Sequence, residues 1–283
     1  MIRQVVIRTL QSLPVGLSEG LSQFGPYWRR VARWGLRGRD VTLRHGVGAG
    51  LKFNCGQSNP DGALGTYELP LQRALSDCLT AGNVFYDIGA NVGFFTTIAA
   101  KLVGPSGQVY AFEPFPGNAA CVRHNLKLND FSHVTVLEKA VAESSGSGQL
   151  LLGKYCGGYT LSDKESASGA GTEGAIAVDL VSIDELIEQG AIAPPTAVKI
   201  DVEGFEIEVL RGMSQTMQQF KPIIIYEIDD KLKQSFDRKQ KVIDDFVRSF
   251  GYQLASLADS YPEIGWHVGH VIATPSTNQI ENA

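Results

Sequence analysis

Four positions between residues 84 and 115 have the types and spacing needed to bind a ligand. Asp87 ends an apolar run, and Gly89 and Gly93 follow it in a turn. A second apolar run ends in Glu113. Glycines let the backbone approach a ligand, and a carboxylate at the second strand end can accept hydrogen bonds from both hydroxyls of a ribose. The pattern predicts a nucleotide-binding half-unit of strand, turn, helix and strand.

The acid before the first glycine indicates the charge of the ligand. Asp87 would repel a pyrophosphate and attract a cation. The spacing also departs from the dinucleotide motif G-x-G-x-x-G, because Ala90 and Asn91 interrupt it. We therefore expect S-adenosylmethionine, which is cationic and contains a ribose. The alternatives are a nicotinamide-dependent oxidoreductase and a non-catalytic module that binds the cofactor.

Two acids later in the chain are candidates for catalysis. Asp201 and Glu203 are two residues apart, so an extended segment would place both on one face. Adjacent carboxylates raise one pKa, which favours a general base that deprotonates an acceptor hydroxyl. We expect Asp201 near the cofactor methyl and Glu203 as the base, unless Glu203 only caps the next helix. Glu227 and His270 are reserve candidates, and a metal held by these acids with Asp229 is a lesser alternative to the expected absence of metal.

Other residues are predicted to contact the cofactor, because open α/β sheets bind ligands beyond the carboxyl ends of their strands. The turn amides would face the methionine part, Glu68 would meet its ammonium group, and Phe115 would cover the adenine. The alternatives are a turn made tight for structural reasons, a solvent-facing Glu68 and a core Phe115. The full predicted set is Glu68, Asp87, Gly89, Ala90, Asn91, Gly93, Glu113, Pro114, Phe115, Lys139, Ala140 and Asp201.

Alternating strands and helices would hold these residues in place. The predicted strands are residues 84–88, 108–112, 134–139, 198–202 and 223–228. Helices separate them, including predicted helices at 67–79, 118–128, 205–220 and 241–250. Two closing strands at 252–257 and 266–273 have no helix between them, which predicts an antiparallel pair. The expected fold is α/β, with a doubly wound, mostly parallel seven-stranded sheet that has one antiparallel strand.

Four segments resemble the FkbM-type methyltransferase family. They are YDIGANVGFFT (86–96), VYAFEP (109–114), VKIDVEGFEIEVLRG (198–212) and IIIYEI (223–228). The resemblance implies a class I, Rossmann-like methyltransferase that uses S-adenosylmethionine. It also implies that the acceptor is a hydroxyl group, on a sugar of a glycan or glycolipid or on a macrocyclic natural product.

The charge is unevenly distributed. The first 45 residues hold eight arginines and two acidic residues, whereas the whole chain has a net charge of −5. We expect a basic helical extension over residues 1–55, a methyltransferase domain over 56–276 and a tail over 277–283. The acidic domain disfavours a nucleic-acid substrate. The arginines either pair with that domain or contact an anionic membrane surface.

Composition indicates an ordinary globular protein, with 43% hydrophobic residues. No run approaches the roughly 20 apolar residues of a membrane span, and the start does not resemble a signal peptide. Four cysteines without a C-x-x-C pair favour reduced thiols in the cytoplasm. A Gly/Ser-rich stretch at 153–174 is predicted to be a loop that forms a lid or acceptor wall, with Tyr155, Tyr159 and Asp163 as its notable side chains.

Overall fold

The computed structural model describes Thr9 and residues 34–153, 159–162, 172–260 and 265–276. Its strands are β1 (Asp40–Thr42), β2 (Lys52–Asn54), β3 (Val84–Ile88), β4 (Gln108–Phe112), β5 (Val134–Leu137), β6 (Ala140–Val141), β7 (Gly146–Gly153), β8 (Tyr159–Ser162), β9 (Thr172–Val181), β10 (Ala197–Ile200), β11 (Ile223–Asp230), β12 (Tyr252–Ser256) and β13 (His267–Pro275). Its helices are α1 (Pro60–Leu64), α2 (Leu69–Cys78), α3 (Phe94–Val103), α4 (Pro116–Leu128), α5 (Ile183–Glu188), α6 (Glu206–Arg211), α7 (Ser214–Gln219) and α8 (Lys233–Ser249). None of these helices has the length and apolarity needed to cross a bilayer. The predicted tail lies outside the described residues.

A seven-stranded sheet has the order β12-β13-β11-β10-β3-β4-β5. β11, β10, β3, β4 and β5 are mutually parallel, and β13 is antiparallel to both of its neighbours. β3, β4 and β10 are apolar and almost entirely buried, which is typical of parallel strands with helices on both faces. The predicted α/β fold with one antiparallel strand is confirmed.

The core lies on both sides of this sheet. Phe85 and Ile225 belong to one apolar cluster, which also contains Phe95 of α3. Tyr86 and Tyr226 belong to the second cluster on the opposite face. Neighbouring residues of one strand enter different clusters because side chains alternate along a strand.

The predicted domain boundary at residue 55 divides a packed core. Leu36 and Phe53 are fully buried in the cluster that covers one face of the sheet. Asn125 of α4 accepts a hydrogen bond from the Asn54 amide at 2.7 Å and donates one to the Val92 carbonyl at 2.8 Å. The segment from Leu36 onward is therefore built into the main domain, and most of the predicted extension before it lies outside the described residues.

A second, four-stranded sheet occupies part of the predicted loop at 153–174. Its order is β6-β9-β7-β8, with β7 antiparallel to both β8 and β9. Val178 of β9 packs with Ala140 and Leu150 in a small apolar cluster. The loop prediction is wrong for residues 159–162 and from Thr172 onward, because pairing with β7 satisfies the backbone of a glycine-rich segment. Tyr155 and Asp163 lie outside the described residues.

Several elements differ from their predicted bounds, including the following three. The fourth strand ends at Ile200 and not at residue 202. The helix predicted at 205–220 is two helices, with Gly212 at the break. A Cβ on Gly212 would lie 2.1 Å from the Ala142 carbonyl oxygen, so the backbones of the two segments are in direct contact there. α8 begins at Lys233, two turns before the predicted start.

Candidate functional site

The turn between β3 and α3 depends on its glycines. Gly89 has a φ of 78°, and a Cβ there would lie 1.8 Å from the Asp201 carbonyl oxygen. Gly93 is the N-cap of α3 with a φ of 82°, and a Cβ there would press against Val122. Asn91, between them, is also left-handed, with a φ of 50°. Only glycine fits at position 89, and its lack of a Cβ lets the turn lie in backbone contact with the end of β10.

A buried lysine lies beneath this turn. The Lys199 ammonium lies 3.2 Å from Asp87 Oδ1 and 3.2 Å from Asp201 Oδ2, and it donates to the Gly89 carbonyl at 3.0 Å. Burial alone would lower the Lys199 pKa, but the carboxylates of Asp87, Asp201 and Glu68 hold it above its ordinary value. Lys199 thus connects the ends of β3 and β10 to the glycine turn.

Asp87 is fully enclosed and does not line the main pocket described below. Its other oxygen accepts a 2.6 Å hydrogen bond from Thr96 Oγ1 of α3. The expectation that this carboxylate faces the ligand therefore needs correction. Asp87 supports the turn from below through Lys199 and Thr96, and its charge acts on the pocket at a distance.

Glu113 lies at the end of β4 and holds two backbone amides. Oε2 accepts from Asn91 N at 2.7 Å, and Oε1 accepts from Phe115 N at 2.9 Å. Burial raises the Glu113 pKa to about 7, although these hydrogen bonds and one from Asn118 oppose the shift. A carboxylate oxygen can accept more than one hydrogen bond, so both oxygens keep capacity for ligand hydroxyls.

One pocket, with a volume of about 310 Å³, opens at the carboxyl ends of the parallel strands. Nine predicted residues line it, namely Gly89, Asn91, Glu113, Pro114, Lys139, Ala140, Asp201, Glu203 and the reserve candidate Glu227. Ala90 lines a smaller adjoining cavity of about 40 Å³. The pocket brings the turn, the strand-end acid and the two candidate catalytic acids together.

The remaining predicted contacts lie elsewhere. Phe115 is half-buried against an apolar cluster whose Ala140 and Leu150 line the pocket, so its contact with the adenine stays a prediction. Gly93 caps α3 behind the turn. Glu68 is buried beside His270, so it does not face solvent at the helix start. Neither Phe115 nor Glu68 lines the described part of the pocket.

Sequence reasoning missed several contributors. Ser58, Asn59 and Tyr67 line the pocket from the segment before α2. Asn59 caps α1 by accepting from Asp61 N at 3.0 Å, and the Asn-Pro pair was the available signal for such a cap. Lys199 was also missed, although a lysine within an apolar strand predicts a buried charge that needs acidic partners.

Asp201 and Glu203 meet in the pocket for a different reason than the predicted alternation. The strand has ended, and Glu203 adopts left-handed backbone, with a φ of 55°. Such conformations concentrate at functional sites because the surrounding structure must impose them. Phe205, not Glu203, is the N-cap of α6, and the Phe205 side chain makes no capping hydrogen bond. Glu203 lies two residues before this N-cap, so the alternative that its charge stabilises the helix N-terminus stays a prediction.

The electrostatics of Glu203 suit a base. Its side chain is open to solvent, so a ligand can reach it. Enclosure by the pocket, followed by the charges of Asp201, Asp229, Glu227 and Glu206, raises the Glu203 pKa to about 9. We expect solvent to moderate this shift without reversing it, because all four neighbours are acidic. Burial also raises the Asp201 pKa, and Lys199 opposes that shift.

Three residues at the floor of the site form a charged cluster. His270 Nε2 lies 2.8 Å from Glu227 Oε2 and 3.4 Å from Glu68 Oε2. Burial alone would lower the His270 pKa, but the two carboxylates raise it well above its ordinary value. The three ligand atoms lie within 4.8 Å of one another and could hold a metal ion. A protonated His270 imidazole between the two carboxylates explains the cluster equally well. The absence of a metal therefore stays a prediction.

The pocket suits S-adenosylmethionine on the geometry of its own residues. Gly89 and Asn91 bring the turn to the pocket wall, Glu113 offers acceptor oxygens, and acids predominate at the β10 and β11 side. A cation with a ribose matches this arrangement, whereas a pyrophosphate would bring negative charge next to Asp201, Glu203 and Glu227 and would find no basic side chain among the described lining residues of that side. The residues present therefore fit the expected cofactor.

Two curated relatives match part of the chain. The hexuronic acid methyltransferase AglP of Haloferax volcanii is 32% identical over 153 residues, covering 54% of this chain and 59% of that protein. The 31-O-demethyl-FK506 methyltransferase FkbM of Streptomyces tacrolimicus is 30% identical over 160 residues, covering 48% of this chain and 61% of that protein. The matches thus span about three fifths of each relative.

A solved structure and a family model were also compared with the chain. The methyltransferase FkbM of Methylobacillus flagellatus is 16% identical with a TM-score of 0.48, covering 75% of this chain and 52% of that one. The model of the methyltransferase FkbM domain matches residues 87–254, which is more than half of the chain and includes the turn, Glu113, Asp201 and Glu203. The protein described here belongs to the FkbM methyltransferase family.

Proposed function

We propose that this protein is an O-methyltransferase that transfers the methyl group of S-adenosylmethionine, the cofactor of its family, to a saccharide hydroxyl. The observation that carries the proposal is the position of Glu203. This acid is accessible in the pocket, has a raised pKa and is held on left-handed backbone beside Asp201. An acid with that pKa can accept a proton from an alcohol as the alcohol attacks.

The β3 and β4 side of the pocket would hold the cofactor. Glu113 would accept hydrogen bonds from the ribose hydroxyls while it keeps the Asn91 and Phe115 amides in place. Pro114, Lys139 and Ala140 would line the adenine end, and the turn at Gly89 and Asn91 would face the methionine part. When bound, S-adenosylmethionine supplies an electrophilic methyl group on a positively charged sulfur.

The β10 and β11 side would perform the proton transfer. We assign Glu203 the role of accepting the hydroxyl proton of the acceptor as its oxygen forms the new bond to carbon. Asp201, held by Lys199, would place negative charge next to the sulfonium and favour a productive orientation. The proton leaves through the open face of the pocket, because the Glu203 side chain is solvent-accessible.

A saccharide acceptor is supported by similarity and by charge. AglP is named for a hexuronic acid and the Streptomyces relative for a 31-O-demethyl compound, so one name indicates a saccharide and the other an oxygen acceptor. A nucleic acid fits poorly, because its phosphates would meet the carboxylates that line this side of the pocket. Contact of the basic N-terminal segment with a membrane-linked acceptor remains a prediction.

Methyl transfer from labelled cofactor tests the proposal. The wild-type protein, mixed with tritiated S-adenosylmethionine and glycans or glycolipids from its native host, should label a saccharide fraction. Glu203→Gln should bind cofactor normally and label that fraction far more weakly. Label in protein or nucleic acid alone would overturn the saccharide assignment. Normal cofactor binding with no label in any fraction would support the non-catalytic alternative.

A further inference from the structure

One exposed aromatic side chain is fixed in orientation near the catalytic acids. Trp266 is 38% exposed, and its indole Nε1 donates a 2.7 Å hydrogen bond to Asp229 Oδ2. An indole usually buries its ring and leaves only its edge in water. In Trp266 the N–H edge is instead bound to a carboxylate, and part of the ring surface is exposed to solvent.

The position of Trp266 relates it to the acceptor side of the pocket. Asp229 and Glu227 are two residues apart on β11, so their side chains lie on the same face of the sheet. Glu227 lines the pocket, and the charge of Asp229 contributes to the raised pKa of Glu203. Asp229 therefore bridges the catalytic acids and the indole, on the side away from Glu113.

A cation accompanies the ring. The Lys231 ammonium lies 5.0 Å from the centroid of the Trp266 ring, and the Lys231 side chain is exposed. Lys231 therefore places a positive charge beside an indole whose other polar partner is the acid Asp229. An exposed lysine beside an exposed indole can hold a molecule that has both an apolar face and a negative charge.

We propose that Trp266, Asp229 and Lys231 form an acceptor subsite for the pyranose ring of an acidic saccharide. The C–H groups on one face of a pyranose carry partial positive charge and suit the negative face of the indole. Lys231 would pair with the carboxylate of the sugar, and Asp229 would hold the indole at a fixed position relative to Glu203. The subsite rests on the proposed function, because it gives that function its substrate class.

Saturation-transfer NMR tests the subsite with two soluble probes. Methyl glucopyranosiduronate carries the carboxylate, and methyl glucopyranoside is its neutral equivalent. With S-adenosylhomocysteine present, the uronate ring protons should receive saturation from the wild-type protein. Trp266→Ala should weaken uronate binding by about tenfold, the range of one aromatic contact. Trp34→Ala, which removes another exposed tryptophan (46%), is the matched control and should change nothing.

A second variant tests the charge preference. Lys231→Gln should reduce binding of the uronate to that of the neutral glucoside and leave the glucoside unaffected. Calorimetry with S-adenosylhomocysteine should give wild-type affinity in both variants, which excludes unfolding.

The outcomes separate the subsite from the proposed function. Wild-type uronate affinity in Trp266→Ala overturns the subsite, while methyl transfer to saccharides by the wild-type protein would still uphold the function. Equal binding of both probes by the wild-type protein overturns the acidic preference. Binding of neither probe, together with no labelled saccharide, overturns both proposals.

Discussion

Asp87 and Lys199 lie side by side on neighbouring parallel strands and form a buried ion pair, with 3.2 Å between Oδ1 and Nζ. The two side chains are 0% and 4% exposed. The pairing register of β3 and β10 makes them direct neighbours. The same lysine reaches Asp201 and the Gly89 carbonyl, so the pair holds the ligand-binding turn against the end of β10, which directly precedes the catalytic acids.

Asp87→Ala should destabilise the fold as well as weaken cofactor binding. Removing one member of a buried ion pair typically costs 3–5 kcal/mol, and because Asp201 remains beside Lys199 we expect about 3 kcal/mol here. Urea denaturation measures this loss. The matched control is Asp237→Ala, which breaks the exposed Asp237–Lys233 pair and should cost less than about 1 kcal/mol. Equal, small losses in both variants would show that Asp87 is not a structural residue.

Glu113 should make the stability of the cofactor-free protein depend on pH. Its folded-state pKa of about 7 lies above its ordinary value of 4.5, so the folded state binds the proton more tightly. The resulting stability is fully present below about pH 4.5 and is lost as pH rises to 7. The loss is on the order of 3 kcal/mol at most. Glu113→Gln should lack this part of the pH slope, so the difference between the two urea-denaturation curves isolates it. Parallel curves from pH 4.5 to 7.5 would contradict the raised pKa.

Glu203→Gln should lower turnover by about 10²–10⁴-fold, the usual share of general base catalysis, and keep cofactor affinity. Because the base must be deprotonated and its pKa is raised toward about 9, wild-type turnover should rise as the pH increases from 7 to 9. The variant should lose that rise. Glutamine has the same shape, so the left-handed backbone is equally strained in both proteins. Glu188→Gln on α5 is the exposed control, and a flat wild-type profile with an active Glu203→Gln variant would exclude Glu203 as the base.

Methyl transfer should not require a metal. The cluster of Glu68, Glu227 and His270 could hold a divalent ion, but a protonated His270 satisfies both carboxylates. We therefore expect full activity after treatment with EDTA and no gain on addition of Mg²⁺ or Mn²⁺. Activity lost to EDTA and restored by one of these ions would instead assign a metal to the cluster.

The sequence was sufficient to predict the elements that carry the binding motif. The bounds of β3 and β4 match the predicted strands, since continuous apolar runs ending in acids and glycines leave few alternatives. Glu113 and the Gly89 turn therefore lie where expected. The four-stranded sheet was not predicted, because its strands rely on pairing with β7 and carry little apolar periodicity of their own.

The buried charges could not be predicted from spacing. Lys199 lies within an apolar strand, and only the pairing register shows that Asp87 lies beside it. Glu68 and His270 are far apart in sequence and meet because β13 inserts antiparallel to β11, opposite Glu227. The role expected of Asp87 changed for the same reason, since its contacts with Lys199 and Thr96 turn its carboxylate away from the pocket.

Calorimetric titration of the purified protein with S-adenosylmethionine and, separately, with NAD tests the cofactor assignment most directly. We expect one S-adenosylmethionine to bind per chain and NAD to give no heat of binding. Glu113→Ala should weaken the S-adenosylmethionine affinity by about 1.5–3 kcal/mol, the range for hydrogen bonds to a charged group. Binding of NAD without binding of S-adenosylmethionine would contradict the assignment of this pocket to a methyltransferase.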